Sequence, residues 1–387
     1  MQKILIIHNN YKITGGEDTN IVEEIKMLKE KFEVETLFFS NSDKFNFFDL
    51  VSILFGKNLK SDIKIKKKVQ EFQPNIVYIH NIWYKVSFGV FKILKEKKIK
   101  TLFKIHNFRY ECSRHFLVKN HINSYEVCNA CSNSRSSLQI FNKYFPESYL
   151  KSIFSIIFSK RLVKALKQFD IKVLVISKFH KSKIISNGID RKKVYLLHNP
   201  LDIKSNYLKK TYNPNSDYVV FAGRLTKSKG IEHMIQAWLR ADLDNIRLKI
   251  IGDGELLLSL KDRYESNQIT FLGQKDLDKT QEEISNARSV ITCTKMYEGQ
   301  PRLLTEASSL KIPSIYPSFG SMNEFFPEGY ELSFEQFNYK SLDEKLNLLK
   351  NKDLLSKVSD DVYQFVEKTL ASKHILKQFQ NINEYEY

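Results

Sequence analysis

Short apolar runs alternate with helical patterns from one end of this chain to the other, and the alternation starts twice. The first series reads "KILIIH", "VETLFF", "NIVYIH", "TLFKIH", "KVLVIS" and "VYLLHN", with helical stretches such as "GEDTNIVEEIKMLKEKF" between most of them. After the polar, turn-rich "KKTYNPNSD" (Lys209 to Asp217) a second series follows: "YVVFAG", "RLKIIG", "ITFLG", "SVITCT" and "IPSIYP". Strands separated by helices predict parallel sheets covered by helices, an α/β architecture rather than a sandwich or a bundle. A length of 387 residues exceeds what one core serves, so two doubly wound, Rossmann-like domains are expected. The boundaries predicted are 1–210 and 211–369, with a final helix at about 370–387 crossing back onto the first domain. Open parallel sheets bind ligands beyond the carboxyl ends of their strands, so the expected site is a cleft between the two domains.

Charge narrows the choice of partner. The net charge of +17 is split into +21 on residues 1–210 and −4 on residues 211–387, and residues 151–210 alone carry +12. No zinc-finger spacing, RNA-recognition signature or other nucleic-acid module accompanies this charge, so nucleic acid is not expected. An anionic membrane surface fits better. The stretch "YLKSIFSIIFSKRLVKALKQF" (Tyr149 to Phe169) mixes Ile and Phe with Lys151, Lys160, Arg161, Lys164 and Lys167. It reads either as a basic helix lying in a lipid interface or as a core helix with a solvated basic face. Ile4 to Ile7 is too short for the core of a secretory signal, and "SIFSIIFS" is too short to span a bilayer. The expected location is the cytoplasm, peripheral on the inner face of the membrane.

Three motifs carry candidate chemistry. Gly15 and Gly16 stand where the first strand turns into a helix, where a bare backbone can approach a phosphate, although a plain turn explains them as well. In "FAGRLTKSKGIEHMIQAW", Arg224 and Lys229 flank a strand-loop-helix turn and could hold a diphosphate, or simply be solvated. In "YEGQPRLLTEASSLKIPS", Glu298 lies in a loop after a strand and Glu306 eight places on in a helix. Carboxylates so placed accept hydrogen bonds from sugar hydroxyls, and helix-start acids favoured by the dipole are the bland alternative. The three-glycine dinucleotide fingerprint is absent, which disfavours a dehydrogenase.

Taken together with "IIGDGEL", "ITFLG" and "ISNGIDRKKVYLLHNPLD", these motifs resemble the GT-B retaining glycosyltransferases of family four, in family order and over essentially the whole chain. The resemblance implies that Gly15 and Gly16 approach the donor phosphates and that Arg224 and Lys229 neutralise the diphosphate. It implies that Glu298, with Gly299 and Gln300, holds the donor sugar. Glu306 would bind the ribose, with Leu303 and Leu304 also donor-binding, and His106 would lie near the reacting face of the sugar. His106, Arg224, Lys229 and Glu298 are the catalytic candidates. Gln300 and Pro301 depart from the family, which commonly has an aromatic and a small residue there, and this bears on sugar identity.

The implied reaction moves a sugar, with retention, from a nucleotide diphosphate donor to a glycan or lipid-linked acceptor of a bacterial surface polysaccharide. A UDP-sugar is favoured as donor over a GDP-sugar, with no cofactor and no metal. A nucleotide-sugar epimerase of the same fold and a noncatalytic nucleotide-sugar-binding protein remain alternatives. Cys112, Cys128 and Cys131 fall in one insertion, where His115 or His121 could complete a zinc site. A reduced, metal-free loop is the favoured reading of that cluster.

Overall fold

The computed structural model describes residues 1–11, 16–41, 49, 51–52, 55–108, 110, 149–201, 211–243 and 245–384. It forms two units, Met1–Pro200 with Ser372–Tyr387, and Leu201–Ala371. The chain thus changes unit after Pro200 rather than near residue 210.

The first unit holds strands β1 (Lys3–Asn10), β2 (Glu33–Ser40), β3 (Ile76–Ile79), β4 (Lys100–Ile105), β5 (Lys172–Val175) and β6 (Val194–Leu196). They lie in the order β2-β1-β3-β4-β5-β6, every pair parallel. All residues of β3 and β5 are buried, which is why Ile76–Ile79 and the Val173 to Val175 run are continuously apolar rather than alternating. The helices are α1 (Gly16–Leu28), α2 (Leu59–Phe72), α3 (Gly89–Glu96), α4 (Tyr149–Gln168) and α5 (Lys178–Ser186). Asn58 and Ser177 start α2 and α5 by accepting the N–H of Ser61 and His180.

The second unit repeats the plan with β7 (Tyr218–Ala222), β8 (Arg247–Ile251), β9 (Ile269–Gly273), β10 (Ser289–Ile291), β11 (Ser314–Ser318) and β12 (Ser333–Glu335). Their order is β12-β11-β10-β7-β8-β9, again parallel throughout. Helices α6 (Ile231–Arg240), α7 (Leu257–Tyr264), α8 (Leu277–Ser285), α9 (Arg302–Ser309), α10 (Tyr339–Asn347) and α11 (Lys352–Leu370) belong to it.

The closing helical stretch is divided at Ala371, where ψ is 137°. There the extended backbone pairs with Leu201, whose N–H donates to Leu370 O at 3.1 Å. The last helix, α12 (Ser372–Glu384), belongs to the first unit. Its Ile375, Leu376 and Phe379 enter the core beside Ile4, Ile6 and Tyr78. Lys172 Nζ donates to Ile382 O at 2.7 Å and Lys100 Nζ donates to Asn383 O. Two cations at a helix carboxyl end offset its dipole, so β4 and β5 hold the tail by charge as well as by packing.

Helix α4 settles one pair of alternatives. Ile156, Phe158, Leu162, Val163 and Leu166 are all buried, and Phe158 stacks edge-on against Trp83 at 4.6 Å. Lys160, Lys164 and Lys167 are exposed. The apolar side of α4 is core, so those of its residues that are buried cannot enter lipid while the unit is folded. No described helix is long and apolar enough to cross a membrane.

Candidate active site

In each sheet the strand order reverses once, between β1 and β3 in the first unit and between β7 and β10 in the second. Crevices at such switch points take ligands because the flanking loops diverge there.

In the second unit the loop after β7 is fixed by two glycines. Gly252, at φ +138°, lies where a Cβ would come within 1.9 Å of Gly223 O, so the loop after β8 can close on the loop after β7 only without a side chain. Gly230, at φ +67°, ends a 3-10 turn, Lys227–Lys229, and a Cβ there would meet Cys293 O at 2.0 Å. The turn therefore lies directly on the end of β10, tied by Lys295 N–H donating to Ser228 O at 2.8 Å. This contact carries Lys229 to Glu298, with Nζ donating to Oε1 at 2.6 Å, and both side chains keep about a quarter of their surface exposed, 26% and 22%. Thr294 Oγ1 donates to the same oxygen at 3.2 Å, and Ser321 Oγ donates to the Glu298 carbonyl. Arg224 is exposed on the same loop.

Helix α9 follows Pro301, which gives it no side-chain cap. Gly299 is buried and Gln300 half-buried. Arg302 Nε donates to Glu306 Oε1 at 2.6 Å, with the side chains 18% and 13% exposed. Burial raises the Glu306 pKa, and the charge and hydrogen bond of Arg302 oppose the rise. Leu304 is in the core with its N–H donating to Pro301 O at 3.1 Å, so neither its side chain nor its N–H is offered to a ligand. Leu303 is only partly buried. Arg302 went unnoticed in the sequence reading, although its four-residue spacing from Glu306 is a signal for a helical ion pair.

In the first unit His106 follows β4. His80, after β3, brings Nδ1 to 2.9 Å from His106 Nε2, and the rings stack at 5.2 Å. His8, on β1, pairs Nε2 with Asp18 at 3.0 Å. Beneath them Lys104 Nζ donates to Glu24 at 3.0 Å with both side chains fully buried, and Tyr78 OH donates to the same carboxylate at 2.6 Å. Burial first, and then neighbouring positive groups including Lys104, hold His80 and His106 well below the usual imidazole range. Both are neutral at neutral pH. His106 Nδ1 has no hydrogen-bond partner among the described residues. His8, His80, Lys104 and Glu24 were not singled out from sequence, because each stands alone in its run and only the sheet order collects them.

Gly16 opens α1, whereas Gly15 and the Cys112, Cys128, Cys131, His115 and His121 cluster lie outside the described residues. Among the described residues no group of three or more His, Cys, Asp or Glu is placed to hold a metal.

The two parallel sheets with their switch-point crevices define the chain as a GT-B-fold protein. Anabaena HepE in complex with UDP-glucose has the same fold, with a TM-score of 0.68, 14% identity and 99% of each chain covered. Residues 204–365 match the family model of glycosyl transferases group 1. An uncharacterized glycosyltransferase of Methanocaldococcus jannaschii, MJ1069, is 24% identical over 253 residues, 62% of this chain and 64% of its own length. The amylovoran biosynthesis glycosyltransferase AmsD of Erwinia amylovora is 26% identical over 149 residues, 37% of this chain and 42% of its own length. Both matches therefore span less than two thirds of those relatives.

Proposed function

We propose that the chain is a retaining glycosyltransferase that takes a sugar from a nucleoside diphosphate donor. The observation that carries this reading is the Lys229–Glu298 pair at the β7/β10 switch point, followed within a few residues by the uncapped start of α9. Such a place offers a mobile cation and backbone N–H groups to a diphosphate and a carboxylate to sugar hydroxyls. Arg224 and Lys229 neutralise the leaving diphosphate, Glu298 with Gly299 and Gln300 orients the sugar, and Glu306 accepts from the ribose hydroxyls. Gly15, Gly16 and His106 belong to the same proposal, from the first unit.

In the reaction the bond from the anomeric carbon to the diphosphate oxygen breaks while an acceptor oxygen bonds to that carbon from the same face. The departing phosphate oxygen takes the proton of the acceptor hydroxyl, and the nucleoside diphosphate leaves. Positive charge develops on the sugar and negative charge on the phosphate, so fixed cations serve better than a strong nucleophile. With Arg224, Lys229 and the α9 N–H groups on the diphosphate, neither metal nor cofactor is required.

A UDP-sugar is the favoured donor, since HepE is named with UDP-glucose, and a GDP-sugar is the alternative. The acceptor is a lipid-linked or oligosaccharide intermediate of a surface polysaccharide, at the inner face of the cell membrane. AmsD's name and the basic first half of the chain support that part.

Calorimetric titration with UDP, GDP, ADP and NAD, on wild type and Glu306→Ala, tests the reading. Selective binding of one nucleoside diphosphate, weakened in the variant, is expected. Binding of none of the four would remove the donor site. Selective binding without sugar transfer to any acceptor, but with conversion of the donor alone, would instead point to an epimerase.

A further inference from the structure

Helix α2 carries an apolar stripe on the wrong side for a core. Its buried residues are Ser61, Ile65, Val69 and Phe72, one face of the helix. At 100° per residue Leu59 and Ile63 stand within 40° of each other on the opposite side, and they are 64% and 65% exposed. Phe55, just before the helix, is 68% exposed.

Among the described residues of α2 the exposed charge beside the stripe is mainly positive. Lys57, Lys60, Lys64, Lys66 and Lys67 are all exposed. Asp62 turns toward the protein and accepts from Ser87 Oγ at 2.8 Å, and Glu71 lies about two turns beyond Ile63, 3.7 Å from Lys67. On the wheel Lys66 and Lys67 flank Leu59 and Ile63 on either side, with Lys60 next to Lys67.

We propose that this face of α2 docks on an anionic lipid surface, with Leu59, Ile63 and Phe55 entering the acyl boundary and the lysines reaching lipid phosphates. A lysine-rich rim argues against a protein partner, because lysine is depleted at protein interfaces. A helix in the membrane plane requires the combination seen here: outward apolar side chains with long cationic ones that extend to the headgroups. The inference moves the lipid-facing element from α4, whose Ile156, Phe158, Leu162, Val163 and Leu166 are core, to α2. It deepens the membrane part of the proposed function and is independent of the donor site.

The test is co-sedimentation of the full chain with vesicles of phosphatidylcholine, alone or mixed with phosphatidylglycerol. The variants are Leu59→Ser with Ile63→Ser, Lys60→Gln with Lys64→Gln, Lys66→Gln and Lys67→Gln, and, on α4, Lys160→Gln with Lys164→Gln and Lys167→Gln. The wild type should bind only the mixed vesicles. The apolar pair should cost about tenfold or more in apparent affinity, and the four-lysine variant about a hundredfold or more. The α4 variant should change binding by only a few-fold. UDP binding, measured on every variant, confirms folding and keeps failure of the donor reading separate. Unchanged vesicle binding in both α2 variants overturns the proposal. So does self-association that depends on Leu59 and Ile63 in a chain that ignores phosphatidylglycerol.

Discussion

Replacing Arg302 by Leu should produce two opposite pH trends. Glu306 accepts from Arg302 Nε at 2.6 Å, and the two side chains are 18% and 13% exposed. Exposed ion pairs contribute about 0–1 kcal/mol, and breaking a fully buried pair costs about 3–5. A mostly but not fully buried pair places the loss at about 2 kcal/mol at neutral pH. Burial already raises the Glu306 pKa and Arg302 opposes the rise, so the variant's carboxyl should titrate higher still. For a carboxyl raised on folding, the penalty is present while the group is ionised and is relieved as pH falls through the folded pKa. The stability deficit of Arg302→Leu should therefore shrink in acid. If Glu306 holds the ribose as proposed, nucleotide binding should run the other way, because accepting from both ribose hydroxyls would need the ionised carboxylate. Thermal melting of wild type and variant across pH 4.5–8.5, paired with UDP titration at the same pH values, reads both. A deficit that stays constant with pH, or UDP affinity that falls in parallel in both proteins, would refute the role given to this pair.

Gly230→Ala should cost about 2–4 kcal/mol, since it adds left-handed backbone strain to a steric clash with Cys293 O. Gly329→Ala, at φ +74° with nothing within 4 Å of the added Cβ, should cost only about 1 kcal/mol; equal losses in urea melts would show that the loop contact is unimportant. Lys104→Met leaves Glu24 buried without its cation and should cost about 3–5 kcal/mol, most of it recovered by adding Glu24→Leu. A loss under about 1 kcal/mol in the single variant would contradict a dry ion pair. Lys229→Ala should weaken UDP binding about ten- to a hundredfold, the worth of a charge-assisted hydrogen bond. Its melting temperature should barely move, because the Lys229–Glu298 pair is partly exposed; normal UDP affinity would dismiss the clamp.

Much of this was open to reading from local pattern. Continuous apolar runs separated by helices belong to parallel sheets because both faces are covered, and β3 and β5 show that cover. Strand β12 escaped notice because "SFE" is too short to carry a period. The Glu298 to Glu306 spacing and the turn flanked by Arg224 and Lys229 were visible because a motif is a property of neighbouring residues. That Lys229 touches Glu298 was not, since the contact joins residues 69 apart and depends on Gly230 seating one loop on another.

The amino-acid sequence by itself determined the alternation of elements, the two-unit plan, the motifs around Lys229 and Glu298 and the basic character of the first half. Each follows from local spacing or from counting. The tertiary structure alone decided which groups meet and which faces are covered. Periodicity aligns Phe158 and Leu162 on α4, and Leu59 and Ile63 on α2, in the same way, yet the first pair is buried in the first unit and the second faces solvent. The strand order collects His8, His80 and His106 over the Lys104–Glu24 pair, although the residues are scattered from position 8 to position 106. Burial and charge pairing are properties of packed surfaces, and a helical period reports only one of the two surfaces that must meet.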